Sequence, residues 1–389
     1  MKIWIDAKEA NVRQRLGSSQ VAFGLLQAFE KIDHGNEYTI VIPSAPLEDF
    51  PKQRNNWSYK LLRPSKLWTR IALPISLYTS KQKPDLIFSP THYIPRFSPV
   101  KRVVTIFDLG FLHFPETFKK RDLWQLKNWT KFSAEFADHI ITISNSSAKD
   151  IVKTYGVRKD KITVAYPGYD KNIFSRNDEL QKSGQVLKKY GIDGQFIIYV
   201  GTIQPRKNLV RLMEAFSRIE NLKLVIVGKT KGLGRAGWKY EETLITPQRL
   251  GIEDKVIFTG FIPTEELPFL ISNAVAMIQP SLWEGFGIPV LESMACGTPV
   301  LVSNLSSLPE IVGDAGLTFD PYSTDQMEQA IRTISTDKKI RQSLSKKGLE
   351  QVKKFSWDNM AKIVLKVFKA VTTGHPEYNR RTKGIEGSL

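Results

Sequence analysis

The feature that most constrains this chain is an alternation. Short, β-branched apolar runs alternate with helical patterns almost from end to end, and the alternation happens twice. In the first set the strand-like runs are Lys2–Asp6, Tyr38–Ile42, Leu86–Ser89, Arg102–Phe107, His139–Ser144 and Ile162–Ala165. Helical patterns lie among them at Ser19–Glu30, Asp122–Ala137 and Ser146–Tyr155, the last opening on Asn145-Ser146-Ser147, which is good N-cap chemistry. Runs that are apolar almost throughout have no water-facing side. They belong in a parallel sheet covered by helices on both faces.

After Tyr166-Pro167-Gly168 the pattern lapses, and Asp170 to Gly194 reads as a polar connector containing one short helix. The alternation then restarts. Strand candidates are Phe196–Gly201, Lys223–Gly228, Val256–Gly260, Ala274–Gln279, Pro299–Val302 and Gly316–Phe319. Helical patterns fall at Asn208–Ile219, Thr264–Ser272, Pro289–Ala295, Thr324–Ile334, Asp337–Phe355 and Trp357–Val371. A length of 389 residues agrees with two domains at about 100–200 residues each. The predicted organisation is α/β: two Rossmann-like domains at 1–170 and 195–356, a linker at 171–194, a last helix at 357–372 and a polar tail at 373–389. In such sheets ligands sit beyond the carboxyl ends of the strands. Loops that follow strands are therefore where chemistry is expected.

The single cysteine, Cys296, excludes an intramolecular disulfide and a cysteine-rich zinc site, and permits a reducing cytosol. The apolar run at the start is too short for a secretory signal. The longest uncharged stretch, Leu267–Trp283, is interrupted by Pro268, Asn273, Gln279 and Pro280, so it is no membrane span. A cytoplasmic chain is expected, peripheral to the inner membrane face if it meets a membrane at all.

The net charge is +17, and from Lys52 to Arg102 there are eleven basic residues and one acid, Asp85. A basic surface is drawn to polyanions. In the same segment Trp57, Tyr59, Leu61, Leu62, Leu67, Trp68 and Ile71 interleave with Lys60, Arg63, Lys66 and Arg70. That mixture suits a membrane interface or a nucleic-acid groove. It also suits ordinary core packing beneath a solvated basic face. That packing is the reading placed first, an anionic membrane surface is the partner to test against it, and nucleic acid, which rests on charge alone, is not expected.

The most informative segment is Ser281–Val300, SLWEGFGIPVLESMACGTPV. It follows a predicted strand. Glycines at 285 and 287 allow backbone amides to approach a ligand, Pro289 suits a first helical turn, and Glu292 falls about one turn in. Helix N-terminal amides favour anions, and two carboxylates can accept bonds from sugar hydroxyls. Two glutamates eight residues apart would by themselves be ordinary surface acids. A second segment, Tyr199-Val200-Gly201-Thr202-Ile203-Gln204-Pro205-Arg206-Lys207-Asn208-Leu209, also runs from strand to helix. Its adjacent cations project from the loop and can neutralise a diphosphate leaving group, or else simply begin a solvated helix.

In order and context, the first segment resembles the Glu-x7-Glu signature of the family 4 retaining glycosyltransferases, which adopt the two-domain GT-B fold with a cleft between the domains. The resemblance implies that Glu284, with the backbone of Phe286, Gly287 and Ile288, holds the donor sugar, and that Glu292 holds the nucleotide ribose. It assigns Gly201, Arg206 and Lys207 to the donor diphosphate, and Phe261, after Val256–Gly260, to the flank of the base. Val103–Phe118 looks like the acceptor-side strand and loop of the mannosyltransferase-like branch. That branch usually has His-Asp where this chain has Phe107-Asp108. The missing polar contact is expected at Asp108, then at His113 or His92. The amino-terminal glycine loop of the family is matched by Gly17 alone, whose backbone the resemblance brings to the donor diphosphate. Roughly residues 1–372 are covered, and in this fold the last helix crosses back to the first domain.

The expected function is transfer of a hexose, mannose favoured, from a GDP- or UDP-linked sugar to a hydroxyl of a glycan or lipid-linked acceptor. Glu284, Arg206, Lys207 and Asp108 are the expected catalytic residues. No cofactor or metal is expected, because no Asp-x-Asp arrangement stands out. A sugar-nucleotide epimerase of related architecture and a non-catalytic sugar-nucleotide or glycan binder remain as alternatives.

Overall fold

In the computed structural model, residues 1–176, 180–229 and 240–374 are described. The tail read at 373–389 lies outside them from residue 375 on. The chain forms two compact units. The first comprises Met1–Leu109, Trp124–Gly168 and the chain from Phe355; the second comprises Gly110–Leu123 and Tyr169–Lys354.

Among the described residues the first unit holds seven parallel strands: β1 (Lys2–Asp6), β2 (Glu37–Ile42), β3 (Trp57–Leu61), β4 (Leu86–Ser89), β5 (Lys101–Thr105), β6 (His139–Thr142) and β7 (Ile162–Val164), in the order β3-β2-β1-β4-β5-β6-β7. The second holds six: β8 (Phe196–Val200), β9 (Lys223–Val227), β10 (Val256–Gly260), β11 (Ala276–Gln279), β12 (Val300–Ser303) and β13 (Gly316–Phe319), in the order β10-β9-β8-β11-β12-β13. These strands too are all parallel. In each sheet the order reverses once, between β1 and β4 and between β8 and β11. Loops leaving the two strands at a reversal diverge to opposite faces and leave a crevice, the usual ligand position in such sheets.

β3 is the strand that the sequence pattern does not show. Its Trp57 is fully buried, while Leu61 is exposed and Lys60 lies over the Trp4 ring. An edge strand in which only Trp57 is buried and Ser58, Tyr59 and Lys60 are half-buried lacks the continuous apolar run that marks its neighbours. A smaller correction concerns the helix Asn145–Tyr155. Its cap is Ser144, whose side chain accepts from Ser147 N at 3.0 Å.

The last helix, Trp357–Thr373, packs within the first unit. Phe368 is fully buried, with its ring 5.8 Å from Phe29 and 5.1 Å from Phe88. At its start Ser356 accepts from Asn359 N at 3.1 Å. The chain passes Gly168 there so closely that a Cβ at that residue would stand 2.2 Å from Trp357 N. Only glycine fits such an approach.

Candidate active site

In the second unit the reversal point brings together two loops, one leaving β8 and one leaving β11. They are stitched by main-chain and side-chain bonds. Leu282 N donates to Arg206 O at 2.8 Å. The buried Asn208, in the left-handed conformation at φ 62°, donates through Nδ2 to the carbonyls of Pro280 at 3.1 Å and Pro321 at 2.7 Å. Asparagine is among the few residues that tolerate that backbone region.

This stitching turns both basic side chains inward. Lys207 is 7% exposed and Glu284 8%, and the Lys207 ammonium is ion-paired to Glu284 Oε1. Arg206 Nη1 lies 3.6 Å from Glu284 Oε2 and donates to Trp283 O at 2.8 Å, while its Nε donates to Gln204 at 3.1 Å. Gln279 Nε2 and Ser281 Oγ donate to Glu284 Oε1 at 2.6 and 2.8 Å. Burial alone would push the Glu284 carboxyl up. The charges of Lys207 and Arg206, with hydrogen bonds from Lys207 and Ser281, override it and hold the group down at about 2. The sequence reading has both cations projecting from their loop. Lys207 instead lies beneath it, bound to the carboxylate, and Arg206 is half-buried alongside. Two cations on one carboxylate leave the cluster with one net positive charge.

Beyond Glu284 the loop enters the helix Ile288–Ala295 through Gly287, at φ 111°, where a Cβ would also stand 2.9 Å from Leu308. Phe286 is buried, so only its main chain can face a ligand; its carbonyl, like that of Glu284, accepts from Ser307 Oγ at 2.9 Å. Ile288 and Glu292 are half-buried on the helix. Burial, then the nearby charge of Asp170, pushes Glu292 up to about 8. Phe261, just past β10, is exposed with the Lys229 ammonium 5.3 Å from its ring centroid. The Gly201 carbonyl at the end of β8 would stand 2.1 Å from a Cβ at Gly228, so the two strand ends are bare of side chains there.

The residues expected on the acceptor side, and Gly17 expected at the donor, are divided between the two units. His113 belongs to the second unit, where its imidazole stacks on Trp283, next to Glu284, with ring centroids 3.9 Å apart and an interplanar angle of 27°. Gly17, His92, Phe107 and Asp108 belong to the first unit. Phe107 is buried, 5.4 Å from the His92 ring, and Asp108 is half-buried. Gly17, at φ 54°, begins the helix Ser18–Ile32 with nothing within 4 Å of its Cβ position.

Sequence reasoning missed Gln279, Ser281, Trp283, Ser307 and Ser306, whose Oγ accepts from Glu284 N at 3.2 Å, because ordinary polar and aromatic residues carry no spacing signal. It also missed Asp6 at the end of β1. Its carboxylate accepts from Trp68 Nε1 at 2.9 Å and Lys8 N at 3.2 Å, and burial pushes it up to about 7 against those bonds. The available signal was an acid closing an apolar strand. Among the described residues no group of three or more His, Cys, Asp or Glu is arranged to hold a metal ion.

Two parallel sheets of this topology, in one chain, recur in solved structures. A sucrose-phosphate synthase from Thermosynechococcus elongatus matches with a TM-score of 0.76 at 19% identity, over 96% of this chain and 100% of its own. The Anabaena protein HepE, in complex with UDP-glucose, matches at 0.73 and 18%, over 95% of this chain and 100% of its own. The fold is GT-B. The family model for Glycosyl transferases group 1 matches residues 185–351, and that for Glycosyltransferase Family 4 matches residues 17–172. The O-antigen chain mannosyltransferase B of Escherichia coli is 30% identical over 318 residues, 80% of this chain and 79% of that protein. The chain belongs to the family 4 glycosyltransferases and is a hexosyltransferase, which sets aside the epimerase and the non-catalytic binder.

Proposed function

We propose that this enzyme transfers a mannosyl group, with retention, from a GDP- or UDP-linked donor to a hydroxyl of a growing glycan or lipid-linked acceptor, as a step of polysaccharide assembly. The observation that carries the reading is the cluster Arg206–Lys207–Glu284 at the β8/β11 reversal. The relative named as an O-antigen mannosyltransferase supports the sugar and the kind of acceptor, and the neighbour solved with UDP-glucose supports a nucleotide sugar.

The hard part of the reaction is departure of a diphosphate as the anomeric C–O bond breaks. The net positive cluster and the amides at the start of the helix Ile288–Ala295 stabilise the charge that develops on the leaving oxygen. The new C–O bond forms on the face the diphosphate leaves. The acceptor proton passes to the leaving phosphate oxygen, so no protein base is called for and the reading needs no metal ion. Glu284, held ionised, accepts from donor hydroxyls. Gln279 Oε1 and Trp283 Nε1, buried beside it without a protein partner, offer one acceptor and one donor more. Glu292 and Phe261 face the ribose and base, Gly201 gives the diphosphate room, and Asp108 remains the candidate for the contact that Phe107 cannot make.

A panel of GDP- and UDP-sugars, scored for slow hydrolysis without acceptor, tests this. One mannosyl donor should be consumed faster than the rest, with release of the nucleoside diphosphate. If no sugar nucleotide is turned over, the reading fails; if another hexose is preferred, the mannosyl assignment fails.

A further inference from the structure

A helix of the first unit carries apolar side chains on the wrong side. A π-helical stretch, Trp68–Ala72, runs directly into the α-helix Leu73–Thr79. One face is core: Trp68, Ala72, Leu73 and Leu77 are buried together with Trp4, Val41 and Ile87. The other face is exposed and also apolar: Leu67 at 51%, Ile71 at 36%, Ile75 at 58% and Tyr78 at 55%. Steps of four and three residues put Ile71, Ile75 and Tyr78 on one stripe, and Leu67 is the residue that caps its start. The buried face anchors the helix, so it cannot roll to hide the stripe. Leu61, at the end of β3, is exposed as well. So is Phe97, in a loop tied to the helix by Arg96 N donating to Thr69 O at 2.7 Å.

The surroundings have one sign. Arg63, Lys66, Arg70, Lys81 and Lys83 are exposed along the helix and its flanks. The single acid of the segment, Asp85, accepts from Lys2 N at 2.7 Å. We propose that the face formed by Leu67, Ile71, Ile75 and Tyr78 seats in the headgroup region of an anionic lipid bilayer, with the surrounding lysines and arginines on the lipid phosphates. An apolar stripe rimmed by cations is the chemistry of an interfacial helix. A second copy of this chain fits poorly, because two such faces would oppose like charges. A nucleic acid fits poorly too: Trp57 and Trp68 are buried, and the exposed Tyr78 shares its stripe with the aliphatic Ile71 and Ile75, which offer bases no stacking surface. The inference goes beyond the donor site and does not use it.

The test uses the full chain and vesicles of phosphatidylcholine with and without phosphatidylglycerol. The parent should co-sediment at least about tenfold better with the anionic vesicles, and salt should weaken the binding. The variant Ile71→Ser/Ile75→Ser/Tyr78→Ser should lose at least about tenfold of it, and so should Arg63→Glu/Lys66→Glu. Cys296 is buried, so a polarity-sensitive dye on Ile75→Cys reports this helix, and its emission should shift to the blue on anionic vesicles. Nucleotide binding measured by calorimetry should be unchanged in all variants; this shows that they are folded and separates the surface from the donor-site reading. A stripe variant that binds vesicles like the parent overturns the proposal. So does sedimentation without a dye shift, and so does a parent dimer that the stripe variant abolishes.

Discussion

Glu284 shows how far one side chain's role depends on its neighbours. Lys207 is its buried partner, so Lys207→Met leaves the ionised carboxylate with the more distant Arg206 and the bonds from Gln279 and Ser281. The expected cost in urea unfolding is below the about 3–5 kcal/mol of a buried charge left with no partner, and Lys207→Met/Glu284→Gln should recover part of it. Arg206 is the cleaner probe of the diphosphate. Arg206→Ala should weaken binding of the nucleoside diphosphate at least about tenfold by calorimetry, and unchanged affinity would remove it from the donor site. Glu292 behaves in the opposite sense from Glu284. Burial holds its folded pKa at about 8, above the ordinary glutamate value of 4.5, so the folded state keeps a proton that the unfolded chain has released. Stability should therefore fall as pH rises through that window and level off above it. Glu292→Gln should raise the Tm more at pH 8 than at pH 5, and parallel profiles for parent and variant would contradict the shift. Because Glu292 faces the ribose in the proposed complex, Glu292→Ala should also weaken free nucleotide, whereas Glu284→Ala should spare free nucleotide and impair turnover of the full donor.

Among the elements, the last helix makes the sharpest claim. Phe368 fills the space between Phe29 and Phe88, and Phe368→Ala should cost about 3–5 kcal/mol. Chemical denaturation followed by hydrogen exchange should place the loss in β1, β4 and the helix Ser18–Ile32. Elements such as these are legible in the sequence. Continuous apolar runs such as Leu86–Ser89 and glycine–proline punctuation such as Gly285–Pro289 act locally and mark themselves. β3 is not legible, because an edge strand with Lys60 outward breaks the pattern. The helix Leu308–Val312 is too short to show a period. At the site, Glu284, Arg206 and Lys207 could be named from their loops. Their mutual pairing could not, because it joins residues 77 apart through Asn208 and the reversal of strand order. The interleaved aromatic and basic residues at 57–71 divide in the same way. Periodicity cannot tell which side of Trp68 faces Trp4 and which side of Ile71 faces water.

For the whole molecule, the return of the chain to its first unit has a consequence for synthesis. The core around Phe29 and Phe88 is closed by Phe368, roughly 200 residues after Gly168. At about 5–20 residues per second the ribosome needs roughly 10–40 s to deliver it. Before that interval ends the second unit has all its strands, the last closing at Phe319, while the first still lacks its final helix. The amino-terminal half, although made first, is expected to reach its native state last. It is then a substrate for chaperones with the Phe29–Phe88 surface uncovered. Nascent chains arrested with Lys354 just outside the tunnel should be cleaved by protease within residues 1–168, and chains arrested with Gly374 outside should resist. Equal resistance at both lengths would mean that the seven-stranded sheet closes without the helix that begins beside Gly168.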